Sequence, residues 1–258
     1  MTNCPIYQPA GLGDVLLSLK IATHFLEEGY EVIFPVCAAY KNLNEKIKKS
    51  AGIKFYNIEE EFPLKDTYNL LVSKDISDIH TIDNVLFVPL KRSFHSSFGK
   101  NMQRNNSHDA SNMLAKFGMC GLTSHNWQNY FEIKRDRYRE RELLNYLGLS
   151  NARYHLVNKH FGTPPQWDET LKRTIFTPPD LQKIEMEYIE GFDVFDWMGV
   201  FEGASKIDSV STSTFYIFEK IDLGCMPTIY SRNTSHRTYE ENFGWLKILA
   251  NKKYTFIG

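Results

Sequence analysis

Cys4-Pro5-Ile6-Tyr7-Gln8-Pro9-Ala10-Gly11-Leu12-Gly13-Asp14 is the stretch that decides the fold. It reads as a short buried strand, a glycine turn and a helix opening at Asp14. Behind it Val15, Leu19, Ala22 and Leu26 recur at helical spacing, with Leu16, Ile21 and Phe25 widening the apolar stripe. Gly29 ends that helix, and residues 31–36 form the next strand. Strand, tight turn, helix and strand make a βαβ unit, which predicts a parallel sheet with its ligand at the carboxyl ends of the strands. Gly11 and Gly13 can take positive φ and let a ligand approach the backbone, and Asp14 is aimed into the same crevice. Leu16 stands where the dinucleotide fingerprint needs its third glycine, and no Gly-Lys-Ser/Thr follows as a phosphate loop requires. A dinucleotide-dependent oxidoreductase is therefore disfavoured.

At 258 residues the chain has room for one large domain or two small ones. A net charge of −1 advertises neither a nucleic acid nor an anionic membrane as partner. Cys4, Cys37, Cys120 and Cys225 lie far apart with no C-x-x-C pair. That spacing suits reduced thiols in a cytoplasm and sets out no zinc site. No basic-then-apolar leader opens the sequence, and no apolar run approaches the roughly 20 residues of a membrane span. The expectation is a soluble cytoplasmic protein.

Further along, residues 40–50 read as a lysine-rich surface helix, and 53–58, 68–72 and 85–89 as strands. Residues 91–112 are polar and carry Arg92, His95, Lys100, Arg104 and His108, which reads as a long connection. Such a connection is either an ordinary surface loop or an acceptor-binding one, with Arg92, His95 and His108 as its candidate contacts. Residues 111–118 and 136–147 read as helices, and the punctuation at Gly148-Leu149-Ser150-Asn151 sets the expected domain boundary, 1–150 and 151–258. The second half starts again with a strand at 154–158 and a loop carrying Lys159 and His160. A strand at 184–189 ends at Glu190, a helix covers 196–204, and a strand covers 206–210. Ser211-Thr212-Ser213-Thr214 then opens a helix at 215–223, and 226–230 is the last clear strand.

The four hydroxyl residues lie at the carboxyl end of a strand and the start of a helix. They read as a phosphate cradle, because free backbone N–H groups and hydroxyls both meet an anion there. One hydroxyl suffices for an ordinary helix cap, and four exceed that need. Lys159 and His160 bring positive charge to the same end of the sheet, although each can be an ordinary solvated loop residue, and His160 taken alone reads as one. Glu190 suits ribose hydroxyls, or is simply a turn residue before Gly191.

A strand followed by Gly-Leu-Gly-Asp and a leucine-rich helix resembles the opening of the GT-B glycosyltransferases of the heptosyltransferase group, glycosyltransferase family nine. The order of Glu190, the short helix with Ala204, the strand ending at Val210 and the Ser/Thr turn resembles that family's donor half. The resemblance implies an α/β fold of two Rossmann-like α/β/α domains facing across a cleft, with acceptor bound by the first and nucleotide-sugar by the second. It implies Asp14 as general base, and Ser211-Thr212-Ser213 in the place of the family's Asp-Thr-Gly donor-phosphate turn. The departure there, and the absence of the histidine that follows in the family, leave the nucleotide and the sugar open.

The chemistry also suits the residues by themselves. Single-displacement glycosyl transfer needs a base for the acceptor hydroxyl and a stabiliser for the departing diphosphate. No Asp-x-Asp motif of the metal-dependent kind occurs, so inversion without a metal or other cofactor is expected. The donor-binding set is Gly11, Gly13, Lys159, His160, Glu190, Ser211, Thr212, Ser213 and Thr214. The partners are a nucleotide-diphosphate sugar and a glycan or glycoconjugate acceptor. Asp14 is also a favoured helix cap, which is its bland alternative. The rival functions are a non-catalytic nucleotide- or glycan-binding protein of the same fold and another nucleotide-linked enzyme, such as an epimerase or methyltransferase.

Overall fold

A computed structural model describes residues 2–105, 111–161, 169–232 and 239–258. The chain divides into two compact units, Met1–Glu132 with Gly244–Leu249, and Ile133–Phe243 with Ala250–Gly258. The division falls at Glu132 rather than at 150, so the charged helix Arg137–Tyr146 counts with the second unit.

The first unit is built on a five-stranded sheet in the order Lys54–Asn57, Glu31–Val36, Asn3–Pro5, Val85–Phe87, His80–Ile82. All neighbours are parallel except the last pair. The strand Glu31–Val36 is buried from Val32 onward, as a sheet covered on both faces requires. The helix Leu12–Glu27 buries Val15, Leu16, Leu17, Leu19, Ile21 and Ala22 completely and packs on that strand. Leu16 is thus core, filling the close helix–strand approach that a dinucleotide site reserves for glycine. Against Ile33, Val85 and Phe87 lies a second cluster of Phe62, Tyr68 and Leu71.

Three expectations fail in this unit. Residues 68–72 belong to a helix, Lys65–Ser73, which buries only Tyr68 and Leu71 and leaves Leu70 half exposed. Of residues 91–112, the described ones do not form one loop: they hold a 3-10 helix, Leu90–His95, a helix Ser97–Asn105, and the start of a helix Asn112–Met119. The polar helix is held from outside itself. Asp78 accepts from the Ser97 N–H at 2.8 Å, and Gly99 lies against the carbonyls of Ser93 and Phe94, where any Cβ would clash. The expected helix at 40–50 is replaced by short pieces, Ala38–Tyr40, Leu43–Lys46 and Ile47–Lys49.

The second unit has a five-stranded, all-parallel sheet in the order Gln182–Glu185, Tyr154–Asn158, Lys206–Val210, Thr228–Tyr230, Thr255–Ile257. The strand expected at 184–189 ends at Glu185, and the helix expected at 215–223 is a single turn and a half, Thr214–Phe218. A helix Tyr239–Leu249, whose residues from Gly244 count with the first unit, and the edge strand Thr255–Ile257 follow, neither foreseen from the sequence. Arg135 spans Glu140 and Glu202, tying the helix Arg137–Tyr146 to the helix Met198–Gly203.

Candidate active site

In each sheet the chain leaves its first strand to one side and later returns on the other, so each has a topological switch point where loops part and a ligand can enter. In the first unit that point lies between Asn3–Pro5 and Val85–Phe87, and the stretch 7–14 runs out of it. The exit is rigid. Tyr7 donates to the Val88 carbonyl at 2.9 Å, Lys91 to the Tyr7 carbonyl at 2.8 Å, and Cys37 to the Pro9 carbonyl at 2.7 Å.

The helix begins at Leu12, with Gly11 in the cap position at φ 80° and no side chain capping it. The Tyr40 hydroxyl accepts from the Leu12 N–H at 3.1 Å instead. Asp14 therefore stands inside the first turn and does not cap its own helix, which removes its bland alternative. A carboxylate there is favoured by the positive end of the helix dipole. Of the two turn glycines only Gly11 has a positive φ; Gly13 is a buried helical residue, contrary to expectation.

The Asp14 side chain is 27% exposed, while Lys116, its ion-pair partner through Oδ1, is fully buried. Lys116 comes from the helix Asn112–Met119 and also donates to Gln8 Oε1 at 2.7 Å. Burial pushes the Lys116 ammonium below the usual lysine range, and the Asp14 charge beside it opposes that shift. Gln8 is itself buried and turns its amide nitrogen to the Ala10 carbonyl at 2.6 Å. Neither Lys116 nor Gln8 was foreseen. The one sequence signal was a lysine lodged between Ala115 and Phe117 in the otherwise apolar run 113–119.

Two of the expected acceptor contacts, Arg92 and His95, share the 3-10 helix Leu90–His95. Arg92, on the turn beside Tyr7, forms an ion pair with Asp75, and His95 is exposed at the end of that turn. His108 lies outside the described residues.

In the second unit the switch point lies between Tyr154–Asn158 and Lys206–Val210. Asn158 donates to Ser209 Oγ at 3.2 Å, and Ser209 Oγ meets Thr214 Oγ1 at 3.0 Å, all three buried. Thr214 is thus spent inside the protein. Ser211 is buried with its N–H on the Tyr230 carbonyl at 2.9 Å, and Thr212 and Ser213 are half-buried. Lys159 leans on Glu185 at 3.4 Å, which lies on the opposite side of its strand from the Ser211 turn. A cation that does reach the turn is Arg232, which nothing in the sequence marked. Its Nε donates to the Ser211 carbonyl, and its guanidinium lies 5.2 Å from the centre of the Phe161 ring. His160 donates its N–H to Asn158 Oδ1 at 3.2 Å, so it stays at this edge. Glu190 does not end a strand. It is exposed in a turn well past Glu185, before Gly191 at φ 87°.

Among the described residues no three His, Cys, Asp or Glu side chains converge as a metal ligand set. The four cysteines are free, and no described helix is long and apolar enough to cross a membrane.

No family model matches the sequence, and no curated protein does. Among solved structures the chain is similar to a glycosyl transferase family 9 protein from Veillonella parvula DSM 2008. The identity is 10%, 89% of this chain and 80% of that one are covered, and the TM-score is 0.46. It is similar to the iron-containing dodecameric glycosyltransferase TibC from enterotoxigenic E. coli H10407, also at 10% identity, over 89% of this chain and 58% of that one, with a TM-score of 0.47. A third is the E. coli ADP-heptose lps heptosyltransferase II, at 10% identity over 99% of this chain and 90% of that one, with a TM-score of 0.46.

Proposed function

We propose that the protein is an inverting, metal-independent glycosyltransferase that moves a sugar from a nucleotide-diphosphate sugar to a glycan hydroxyl. The observation that carries this reading is Asp14: a partly exposed carboxylate fixed at a switch-point turn by a fully buried lysine. A carboxylate so held suits a general base. The acceptor O–H proton passes to Asp14 as the oxygen attacks the anomeric carbon, and the bond from that carbon to the diphosphate oxygen breaks. The leaving diphosphate takes up the negative charge. In the second unit the half-buried hydroxyls of Thr212 and Ser213, with the Arg232 guanidinium beside Ser211, supply donors for that charge. His160 is a further donor contact in this reading. The setting is a cytoplasmic one, in keeping with the four free cysteines.

Asp14→Asn tests the proposal. Turnover per folded molecule should fall by about 10² to 10⁴, the usual worth of a general base. Nucleoside-diphosphate binding, read as thermal stabilisation, should persist, and a chelator should leave wild-type turnover unchanged. Retained turnover in Asp14→Asn would remove Asp14 from the chemistry. Stabilisation by a diphosphate with no transfer to any acceptor would favour the non-catalytic binding protein.

A further inference from the structure

We propose that Lys116 is the positioning residue of Asp14, and that it divides the labour of the carboxylate: Oδ1 is anchored by the buried ammonium, and Oδ2 takes the acceptor's proton. The proposal deepens the transferase reading and depends on it for the identity of the reaction.

Three features converge on it. First, the pair is lopsided. Lys116 is wholly buried and Asp14 is 27% exposed. An ion pair that only braced the core would bury both ends; this one hides the cation and presents the carboxylate. A buried ammonium carries a desolvation cost that an apolar side chain of the same length would not, so bracing alone gives no reason for a lysine here. Second, the ammonium cannot wander. An ammonium has donors only, so it must face Gln8 Oε1, and that oxygen is aimed inward because the amide nitrogen is committed to the Ala10 carbonyl. The Ala10 backbone lies in the turn that Cys37 and Tyr7 already clamp. Lys116 is therefore held by Gln8 on one side and holds Asp14 on the other. Third, Oδ2 has no protein hydrogen bond among the described residues, and it lies over bare backbone. A Cβ placed on Gly11 would come within 2.8 Å of it. The glycine thus keeps the second oxygen open, and the lysine keeps it pointing there.

The test uses Lys116→Met, which keeps length and removes charge, beside Asp14→Asn, in the full chain. If Lys116 positions the base, the folded Met variant should lose about a hundredfold in kcat while KM for the nucleotide-sugar stays within about twofold. A purely structural role would lower the folded fraction and leave kcat per folded molecule alone. A second readout needs no turnover. The side-chain ammonium resonance of Lys116, assigned by its loss in Lys116→Met, should shift in Asp14→Asn. Should Lys116→Met fail to fold, Lys116→Gln is read in the same way. A kcat within twofold of wild type in a folded variant would overturn the proposal, and so would a lysine resonance indifferent to Asp14→Asn. A lysine resonance that shifts in Asp14→Asn, beside a wild-type protein that transfers no sugar, would overturn the transferase reading while the anchored oxygen stands.

Discussion

Gly11 carries two separate demands, and a substitution can tell them apart. Its φ of 80° strains any other residue, and a Cβ would press on an oxygen whose carboxylate is already tethered to Lys116. Gly29 shares the first demand at φ 88° but has nothing within 4 Å of a built Cβ. Both Gly11→Ala and Gly29→Ala should lose about 1–3 kcal/mol in urea unfolding, the usual cost of such backbone strain. Only Gly11→Ala should also depress turnover. Asp14→Asn also bears on the fold. With Lys116 buried behind it, the substitution strands a cation, so stability should drop. Adding Lys116→Met should then recover part of the loss.

Among elements, two helices of the second unit, Arg137–Tyr146 and Met198–Gly203, meet on the Arg135 guanidinium. Arg135 reaches Glu140, which is 3% exposed, and Glu202, with Arg137 standing by at 3.3 Å from Glu140. Burial alone would lower the Arg135 ionisation, but the two carboxylates outweigh it and push it upward. Arg135→Met leaves Glu140 with only the more exposed Arg137. The expected loss is about 2–4 kcal/mol, checked by urea unfolding, somewhat under the full cost of a broken buried pair. Elements also show what local sequence can and cannot say. The helix Leu12–Glu27 was legible because its apolar residues repeat at the helical period over several turns. The run Tyr68-Asn69-Leu70-Leu71-Val72 was misread as a strand because a short apolar run satisfies either period. The helix Ser97–Asn105 was invisible for the opposite reason. It is polar, and its support comes from Asp78, from Ser96 Oγ on the Gly99 N–H and from the Phe94 carbonyl on the Gln103 side chain.

For the molecule as a whole, acid should strike through the second unit. Burial would raise the Asp208 carboxyl, but Lys206 and His155, each at 2.8 Å, outweigh that and hold it below the usual carboxylate range. Glu202 is likewise held low, the Arg135 and Arg137 contacts overcoming its burial. A carboxylate with a depressed folded pKa stabilises the protein above its unfolded value and loses that contribution as pH falls through the folded one. The urea midpoint should therefore be level near neutrality and fall as pH drops below about 4. Glu202→Gln should weaken that fall. A midpoint indifferent to acid would show these pairs to be unimportant.

Strand–turn–helix alternation, the turn at 7–14 and the Ser/Thr turn at 211–214 were readable in the sequence, because backbone period and glycine's freedom are local properties that neighbouring residues express. So was Asp14 as a carboxylate of interest. Its partner was not. Lys116 lies 102 positions away, and only the packing of the helix Asn112–Met119 brings its ammonium to Asp14 and Gln8. The same holds for Arg232 at Ser211 and for Lys159 turning to Glu185. Strand order decides those pairings, since a charge finds its partner by distance through the fold and not along the chain.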